Sequence, residues 1–323
     1  MIGYDEIKHI ELELSSYCNA SCSLCPRNLF GYNTDLGYPK RNLSLEEVKK
    51  IVSVDFLQQL EHVKFEGNFG DPLSNPEVLD IIKYFNVPVT ITTNGFYRNK
   101  EFWQQLAKLD VEVQFGIDGI DQSTHSRYRR GTNFDRILAN ACTYIEHGGN
   151  ATWKMIKFDF NVDQIETAKT LSQKLGFKKF ILIEHGRTSG PVFDQNGKLI
   201  DILGDWQGST SFEKIKHQVD SGEVLLADIN QPKVDCISCQ SVNHKSIYIS
   251  SDGYVYPCCF MGFSPSTYGR GRWHQPVNQQ LVPLIKDNNA LVHGLEHAVK
   301  WFNRVSLVPG DLVVCDASCG HNQ

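Results

Sequence analysis

The 323-residue chain contains no apolar run long enough to cross a bilayer, so no helical membrane span is expected. It has no excess of positive charge. Thirty-two Lys and Arg stand against 37 Asp and Glu, for a net charge of -5 and a pI near 6.1, so no basic field advertises nucleic acid. It shows no internal repeat and no low-complexity segment, which argues against a solenoid or a tail. Its eleven histidines form no His-x-His or His-Glu-x-x-His spacing, which disfavours a zinc hydrolase. The first residues, MIGYDEIKHIELEL, are acidic and alternating; they read as a strand and not as a signal peptide. A cytoplasmic, reducing location is the resulting expectation, and there clustered cysteines are more often metal ligands than disulfides. Hydrophobic residues at 41% and charged residues at 21% supply an ordinary globular core, and the length suggests one large domain with an appendage.

What is present is cysteine, concentrated. The stretch SSYCNASCSLCPRN (15–28) places Cys18, Cys22 and Cys25 within eight positions, spaced Cys-x3-Cys-x2-Cys, with no fourth cysteine nearby. Structural zinc wants four ligands, commonly as two Cys-x2-Cys pairs, and the common four-cysteine ferredoxin spacings do not match. Three thiolates suit a [4Fe–4S] cubane with one iron left open for a substrate or cosubstrate. A zinc knuckle with a distant fourth ligand is the competing reading.

Hydrophobic periodicity then alternates strand and helix. Strands are expected at 9–14, 62–67, 88–95, 111–118, 152–158 and 178–184. Helices are expected at 43–52, with Ser44 and Glu47 at capping-box spacing, and at 76–85, 100–109, 134–148 and 163–176. Six strands with crossover helices predict a parallel α/β sheet, and the suggestive residues all follow strand ends, which favours a partial (β/α)6 barrel. The pattern divides the chain into a barrel over 1–190, a linker or site-covering segment over 191–235, and a cysteine-bearing unit over 236–323. In the last, 246–258 reads as a hairpin with a tight Asp252-Gly253 turn, and 281–305 as one or two helices.

The cysteine loop, placed after the first strand and with Leu24 before its third cysteine, resembles that of the radical S-adenosylmethionine (SAM) superfamily. The resemblance covers roughly residues 8–185. It implies a [4Fe–4S] cluster on Cys18, Cys22 and Cys25 that chelates SAM, a 5′-deoxyadenosyl radical, and a flavodoxin- or ferredoxin-type electron donor. GNFGDPL (67–73) is similar to the family's Gly-Gly-Glu-Pro motif, with Gly70, Asp71 and Pro72 as counterparts. Asp71 is one methylene shorter than the usual glutamate. TTNG (92–95) resembles the strand-end Thr-Asn-Gly and brings in Asn94. GIDGIDQSTHSRYRRG (116–131) resembles the segment that contacts the SAM ribose and carboxylate, with Asp118 and either Arg129 or Arg130 as candidates. Singly these motifs are ordinary turns or caps; their order, each after a successive strand, carries the reading.

Cys236, Cys239, Cys258, Cys259, Cys315 and Cys319 form a second set. The layout resembles a SPASM domain in its shorter twitch form. That implies one auxiliary [4Fe–4S] cluster on Cys239, Cys258, Cys315 and Cys319, with Cys236 and Cys259 as competing ligands and a four-cysteine zinc site as the rival. Cys142 reads as an inert core residue and Trp153 as core. Asn68, Lys157, Asp159, Glu184, His185 and Arg187 sit at strand ends without a distinguishing signal, and GRGRW (269–273) is too short to argue for nucleic acid.

The expected activity is hydrogen abstraction from a substrate, leading to net dehydrogenation of a small molecule. Peptide maturation and thiol-assisted epimerisation, with Cys259 or Cys236 returning hydrogen, are alternatives within the class; a non-catalytic metal-binding protein is the alternative outside it. Only seventeen residues precede Cys18, which tilts the expectation from a peptide towards a small molecule.

Overall fold

The computed structural model describes residues 1–25, 27–33, 38–184, 189–221, 233–262 and 284–321. All six expected strands form: β1 (His9–Leu12), β2 (His62–Phe65), β3 (Val89–Thr93), β4 (Val111–Gly116), β5 (Asn150–Ile156) and β6 (Lys179–Ile183). Each pairs with the next in parallel. This is the partial (β/α) barrel that the spacing of strands and helices predicts. Two further β-pairs follow: β7 (Gly190–Phe193) with β8 (Leu199–Leu203), and β9 (Cys236–Ile237) with the terminal β12 (Gly320–His321).

The sheet does not stop at β1. Strand β10 (Ser246–Ile249) lies parallel to β1 in the register Ile10–Ile247, and β11 (Val255–Tyr256) closes that edge antiparallel. The order is therefore β11-β10-β1-β2-β3-β4-β5-β6. The cysteine-bearing segment thus contributes two strands to the barrel sheet. The hairpin between β10 and β11 turns through five residues, Ser250–Tyr254, and not through a tight Asp-Gly pair. Gly253 stands at φ +86°, where its missing Cβ matters, and Ser250 Oγ donates to Asp252.

Alternation along the strands sorts the side chains. Ile10, Leu12, Val63, Phe65, Ile91, Val113, Phe115 and Trp153 are fully buried beneath the helices. The other face is polar: Glu11, Lys64, Thr92, Gln114 and Lys154 line the lumen, with His62, Thr90, Glu112 and Thr152 a layer below. The Ser44–Glu47 capping box opens the first helix, Leu45–Ile51. Of the one or two helices expected over 281–305, the described part holds two short α-helices, Ala290–His293 and Leu295–Ala298, separated by Gly294 at φ +79°, and a 3-10 helix, Lys300–Arg304. Residues 281–283 and 269–273 lie outside the described residues. Cys142 is half-buried on its helix and not in the core.

Candidate active site

The loop after β1 folds back on itself and on the segment after β4. Ser21 N donates to Arg130 O at 2.8 Å, Ser23 N to Tyr128 O at 2.9 Å, and Ser23 Oγ to Arg127 O at 2.6 Å. Asn28 Nδ2 reaches Cys22 O at 3.0 Å. These bonds fix the loop carrying Cys18, Cys22 and Cys25 without using its thiols. Burial pushes the Cys18 thiol up to about 12 and that of Cys22 up to about 11. Such thiols do not ionise by themselves at neutral pH; a cationic centre would have to draw off their protons.

Donors nevertheless surround them. Cys18 Sγ accepts from Ala20 N at 3.4 Å and from Asn94 Nδ2 at 3.5 Å. The Arg27 guanidinium is folded into the loop, donating to Cys18 O and Ala20 O. Its Nε, and Asn19 Nδ2 beside it in sequence to Cys18, are buried without a partner. Two orphaned donors next to three thiols fit an acceptor-rich group such as an iron–sulfur cluster with its ligand. Among the described residues no three Cys, His, Asp or Glu side chains close on one point as they would around a single ion.

The loop Gly67–Pro72 is clamped against the same strand end. A Cβ on Gly70 would lie 1.8 Å from Ser15 O, so only glycine permits this approach. Asp71 N donates to Tyr17 O at 2.8 Å. The Asp71 carboxylate turns inward: it accepts from Leu73 N, from Thr93 Oγ1 and from Asn94 N, all at 2.8–2.9 Å, and is 3% exposed. It fastens this loop to the end of β3, and Pro72 opens the short 3-10 turn Pro72–Ser74. Asn94 in turn joins β3 to the cysteine loop through Cys18 and Asn19.

After β4, Asp118 is fully buried. Its Oδ1 accepts from Ile156 N and its Oδ2 from Arg129 Nε, both at 2.6 Å. Arg129 packs over Gly116, and its charge acts on Cys22. Arg130 points elsewhere, to Phe193 O at 2.8 Å and Gly31 O. The sequence left the two arginines undivided; the structure separates their surroundings.

Four of the second cysteines are electrostatic neighbours: Cys258 senses Cys315, Cys239 and Cys319, and Cys315 senses Cys239 and Cys319. They line one cavity of about 190 Å³ together with Cys259 and Glu11. Burial raises the thiols of Cys258, Cys315 and Cys319, Cys315 to about 12. Cys236 turns to His321, Sγ to Nε2 at 3.0 Å. The Cys259 thiol, pushed well up by burial with Glu11 beside it, lies near the Glu11 carboxylate on the lumen face of β1. There Lys64 bridges Glu66 and Glu11, and Lys154 reaches Glu66 at 3.3 Å. Although burial opposes it, these two lysines hold Glu66 down at about 2.

The segment expected as a linker packs over the cysteine loop. Phe193 stacks edge-on with Phe30 and Phe212, and Trp206 with Phe30, in a second apolar cluster that includes Cys22 and Leu24. Of the remaining strand-end residues, Lys157 and Glu184 form a solvated pair at 3.3 Å, and Asn68 donates to Cys259 O at 2.9 Å. Trp153 is core, as expected. His185 and Arg187 lie outside the described residues. Sequence reasoning missed Glu13 and His125, buried polar residues that no spacing distinguishes, and the half-buried Arg27.

A cysteine-bearing loop after β1, answered by the ends of β2, β3 and β4, defines the class. Residues 12–171 match the family model described as Radical SAM superfamily. The chain belongs to that superfamily. Among curated relatives, an S-adenosylmethionine-dependent nucleotide dehydratase of Flammeovirga pacifica is 27% identical over 157 residues, 45% of this chain and 52% of the relative. A GTP 3′,8-cyclase of Microcystis aeruginosa is 26% identical over 148 residues, 42% and 39%. An uncharacterized protein of Methanocaldococcus jannaschii is 23% identical over 190 residues, 55% and 59%. The chain spans about half the length of the curated relatives it matches. Streptococcus suis SuiB bound to S-adenosylmethionine superposes with a TM-score of 0.57 at 15% identity, over 97% of this chain and 73% of that one. SuiB bound to its precursor peptide SuiA gives 0.58 at 14%, over 97% and 72%. These likenesses concern the fold. No helix among the described residues is long and apolar enough to cross a membrane.

Proposed function

We propose that this chain is a SAM-cleaving dehydrogenase of a hydrophilic substrate, with a second iron–sulfur site on Cys239, Cys258, Cys315 and Cys319. The observation that carries the second site is the mutual proximity of those four thiols around one cavity. When bound, the first cluster and SAM would supply the radical chemistry that removes a hydrogen atom from the substrate; loss of a proton, and of one further electron to the second iron–sulfur site, would complete a two-electron oxidation. Cys18, Cys22 and Cys25 would hold the first cluster. Asn94 and Arg27 would direct N–H groups at it. The backbone of the Gly67–Pro72 loop would hold the SAM amino group, since the Asp71 carboxylate serves Leu73, Thr93 and Asn94. Arg129, set by Asp118, faces the cluster side; Arg130 is engaged by the Gly31 and Phe193 carbonyls.

The lumen supports the substrate class. Its wall above the lowest layer is built from Glu11, Lys64, Thr92, Gln114 and Lys154, so a substrate entering it meets charge and hydrogen bonds on most sides. The small-molecule reading rests on this and on the resemblance; a peptide presenting a polar side chain has the same chemistry. SuiB bound to its precursor peptide SuiA shares this fold.

One observation favours a second reading. Cys259 lies beside Glu11 of the lumen wall as well as beside Cys258, where a redox-neutral enzyme would want a hydrogen donor. Anaerobic reconstitution with iron and sulfide counts tests the main reading. About eight irons per chain are expected, four for each cubane, with Cys315→Ala/Cys319→Ala retaining four and still cleaving SAM. Zinc at the second site would sink the auxiliary cluster. Product of unchanged composition carrying one carbon-bound deuterium from heavy water, lost in Cys259→Ala, would replace dehydrogenation with the redox-neutral reading.

A further inference from the structure

The Glu13 carboxylate is buried, accepts its hydrogen bonds from neutral donors only, and joins three elements at once. Glu13 follows β1 directly, five residues before Cys18. Its Oε1 accepts from Phe69 N at 2.6 Å and from Gly70 N at 3.0 Å, the two amides at the bend of the Gly67–Pro72 loop. Its Oε2 accepts from the Tyr248 hydroxyl at 2.8 Å, on β10. Gly67 leaves room for it: a Cβ there would lie 2.8 Å from Oε1. A second link runs alongside, Asn68 Nδ2 to Cys259 O at 2.9 Å, and Gly262 packs on the Tyr248 ring. The loop assigned to SAM is therefore gripped from below by β1 and from the side by the segment carrying Cys258.

We propose that Glu13 is the positioning residue for the SAM-binding loop and that Tyr248 is the arm by which the auxiliary segment acts on SAM affinity. The proposal rests on the reading of that loop given above. A buried carboxylate without a cation is costly, and it persists here because three donors converge on it. With one oxygen it holds two consecutive amides, and the next amide in the loop, Asp71 N, meets Tyr17 O of the cysteine loop at 2.8 Å. Tyr248 fixes the plane of the carboxylate. The titratable groups facing Glu13 are Tyr248 and Asp252 from the hairpin and Tyr38 from the return of the cysteine loop. None of them ionises to a cation. Burial, opposed by the three hydrogen bonds, pushes the Glu13 carboxyl up to about 7, so it loses an accepting oxygen within the range in which the enzyme is assayed.

The test is SAM affinity by anaerobic titration calorimetry on reconstituted wild type, Glu13→Gln, Tyr248→Phe and the double variant, at pH 6 to 8. Each preparation is first shown to carry its iron and to be folded. The side-chain amide introduced by Glu13→Gln presents one accepting oxygen to three donors. Glu13→Gln is expected to weaken SAM binding about tenfold and Tyr248→Phe by several-fold, consistent with losing charge-assisted hydrogen bonds. The double variant should be no weaker than Glu13→Gln alone, because both act through one carboxylate. Wild-type affinity should fall as pH drops from 8 to 6, and Glu13→Gln should be flat. Affinity within twofold of wild type together with an unchanged pH slope in Glu13→Gln overturns the proposal, and multiplicative effects in the double variant overturn the role of Tyr248. Should Glu13→Gln not fold, Tyr248→Phe, which removes one hydroxyl, decides: unchanged affinity and slope overturn the coupling. A wild-type protein that carries its iron but binds no SAM would overturn the functional reading itself, an outcome recognisable from the first titration.

Discussion

His125 offers a quantitative test of how the Asp118–Arg129 pair is held. The ring is fully buried, and Asp118 N donates to its Nδ1 at 3.2 Å. Nδ1 must therefore be bare, and Nε2 carries the proton towards Thr132 Oγ1 at 3.0 Å, whose hydroxyl passes on to Arg129 O at 2.7 Å. A second proton would face an N–H donor on one side and the Arg129 charge nearby. Burial, with help from Arg129, pushes the ring down to about 3, against an ordinary value of about 6.5. The folded ring thus binds fewer protons than the unfolded one between those limits. Its contribution to stability is present above about 6.5 and is lost as pH falls towards about 3. At pH 5.5 the loss from this one group is about 1.4 kcal/mol, and its full extent at very low pH is on the order of 5 kcal/mol. Glu13 acts with the opposite sign. Its raised carboxyl favours the folded state below the unfolded value of about 4.5, and that contribution is lost as pH rises through about 7. The two partly cancel in a raw stability profile, so the difference between two proteins is the measurement. His125→Gln keeps an acceptor and a donor but does not titrate. Urea denaturation under anaerobic conditions at pH 7.5, 6.5 and 5.5 should show wild type losing about 1.4 kcal/mol more than the variant across that range. Parallel profiles would refute the assigned tautomer and the charge-free ring.

Arg129→Gln should cost about 3–5 kcal/mol of stability by denaturant titration, because it strands the Asp118 carboxylate in the core. Arg127→Ala, which breaks an exposed pair with Asp201, should cost no more than about 1 kcal/mol in the same assay. Changing Cys18, Cys22 and Cys25 to alanine should remove about four irons and abolish SAM cleavage, measured by iron assay and 5′-deoxyadenosine formation. Asp71→Asn should loosen the loop from Thr93 and Asn94, costing about 1–3 kcal/mol of stability in the same denaturation.

The barrel was legible because its signals are local. Ser44 with Glu47, the Val and Ile runs of β3 and β4, and the three close cysteines each state themselves within a dozen residues. The β7–β8 hairpin was legible in principle: Asn196-Gly197 sits between PVF and KLIDIL, a strong turn signal that the surrounding Gly and Asp residues obscured. The pairing of β10 with β1 was not legible, since a contact between residues more than two hundred positions apart leaves no periodicity behind. Glu13 and His125 were hidden for a related reason. A buried polar residue is identified by its partners: those of Glu13 come from a distant loop and strand, and those of His125, Asp118 and Thr132, meet it only once the segment after β4 has folded. Asp71 was found by its motif, but only its neighbours Thr93 and Asn94 reveal which way the carboxylate faces.

The seam between β1 and β10 has a consequence for how this polypeptide can be divided. A truncation ending near residue 235 would leave the barrel with a bare parallel edge at β1, its N–H and C=O groups unmatched from His9 to Leu12. Exposed edges of that kind recruit other chains, so the fragment would self-associate and would not behave as an independent barrel. The same cut removes Tyr248 from Glu13. During synthesis β1 waits for a partner more than two hundred residues later. Late-arriving pairing of that length is slow, and the cysteine loop stands next to the unfinished edge throughout.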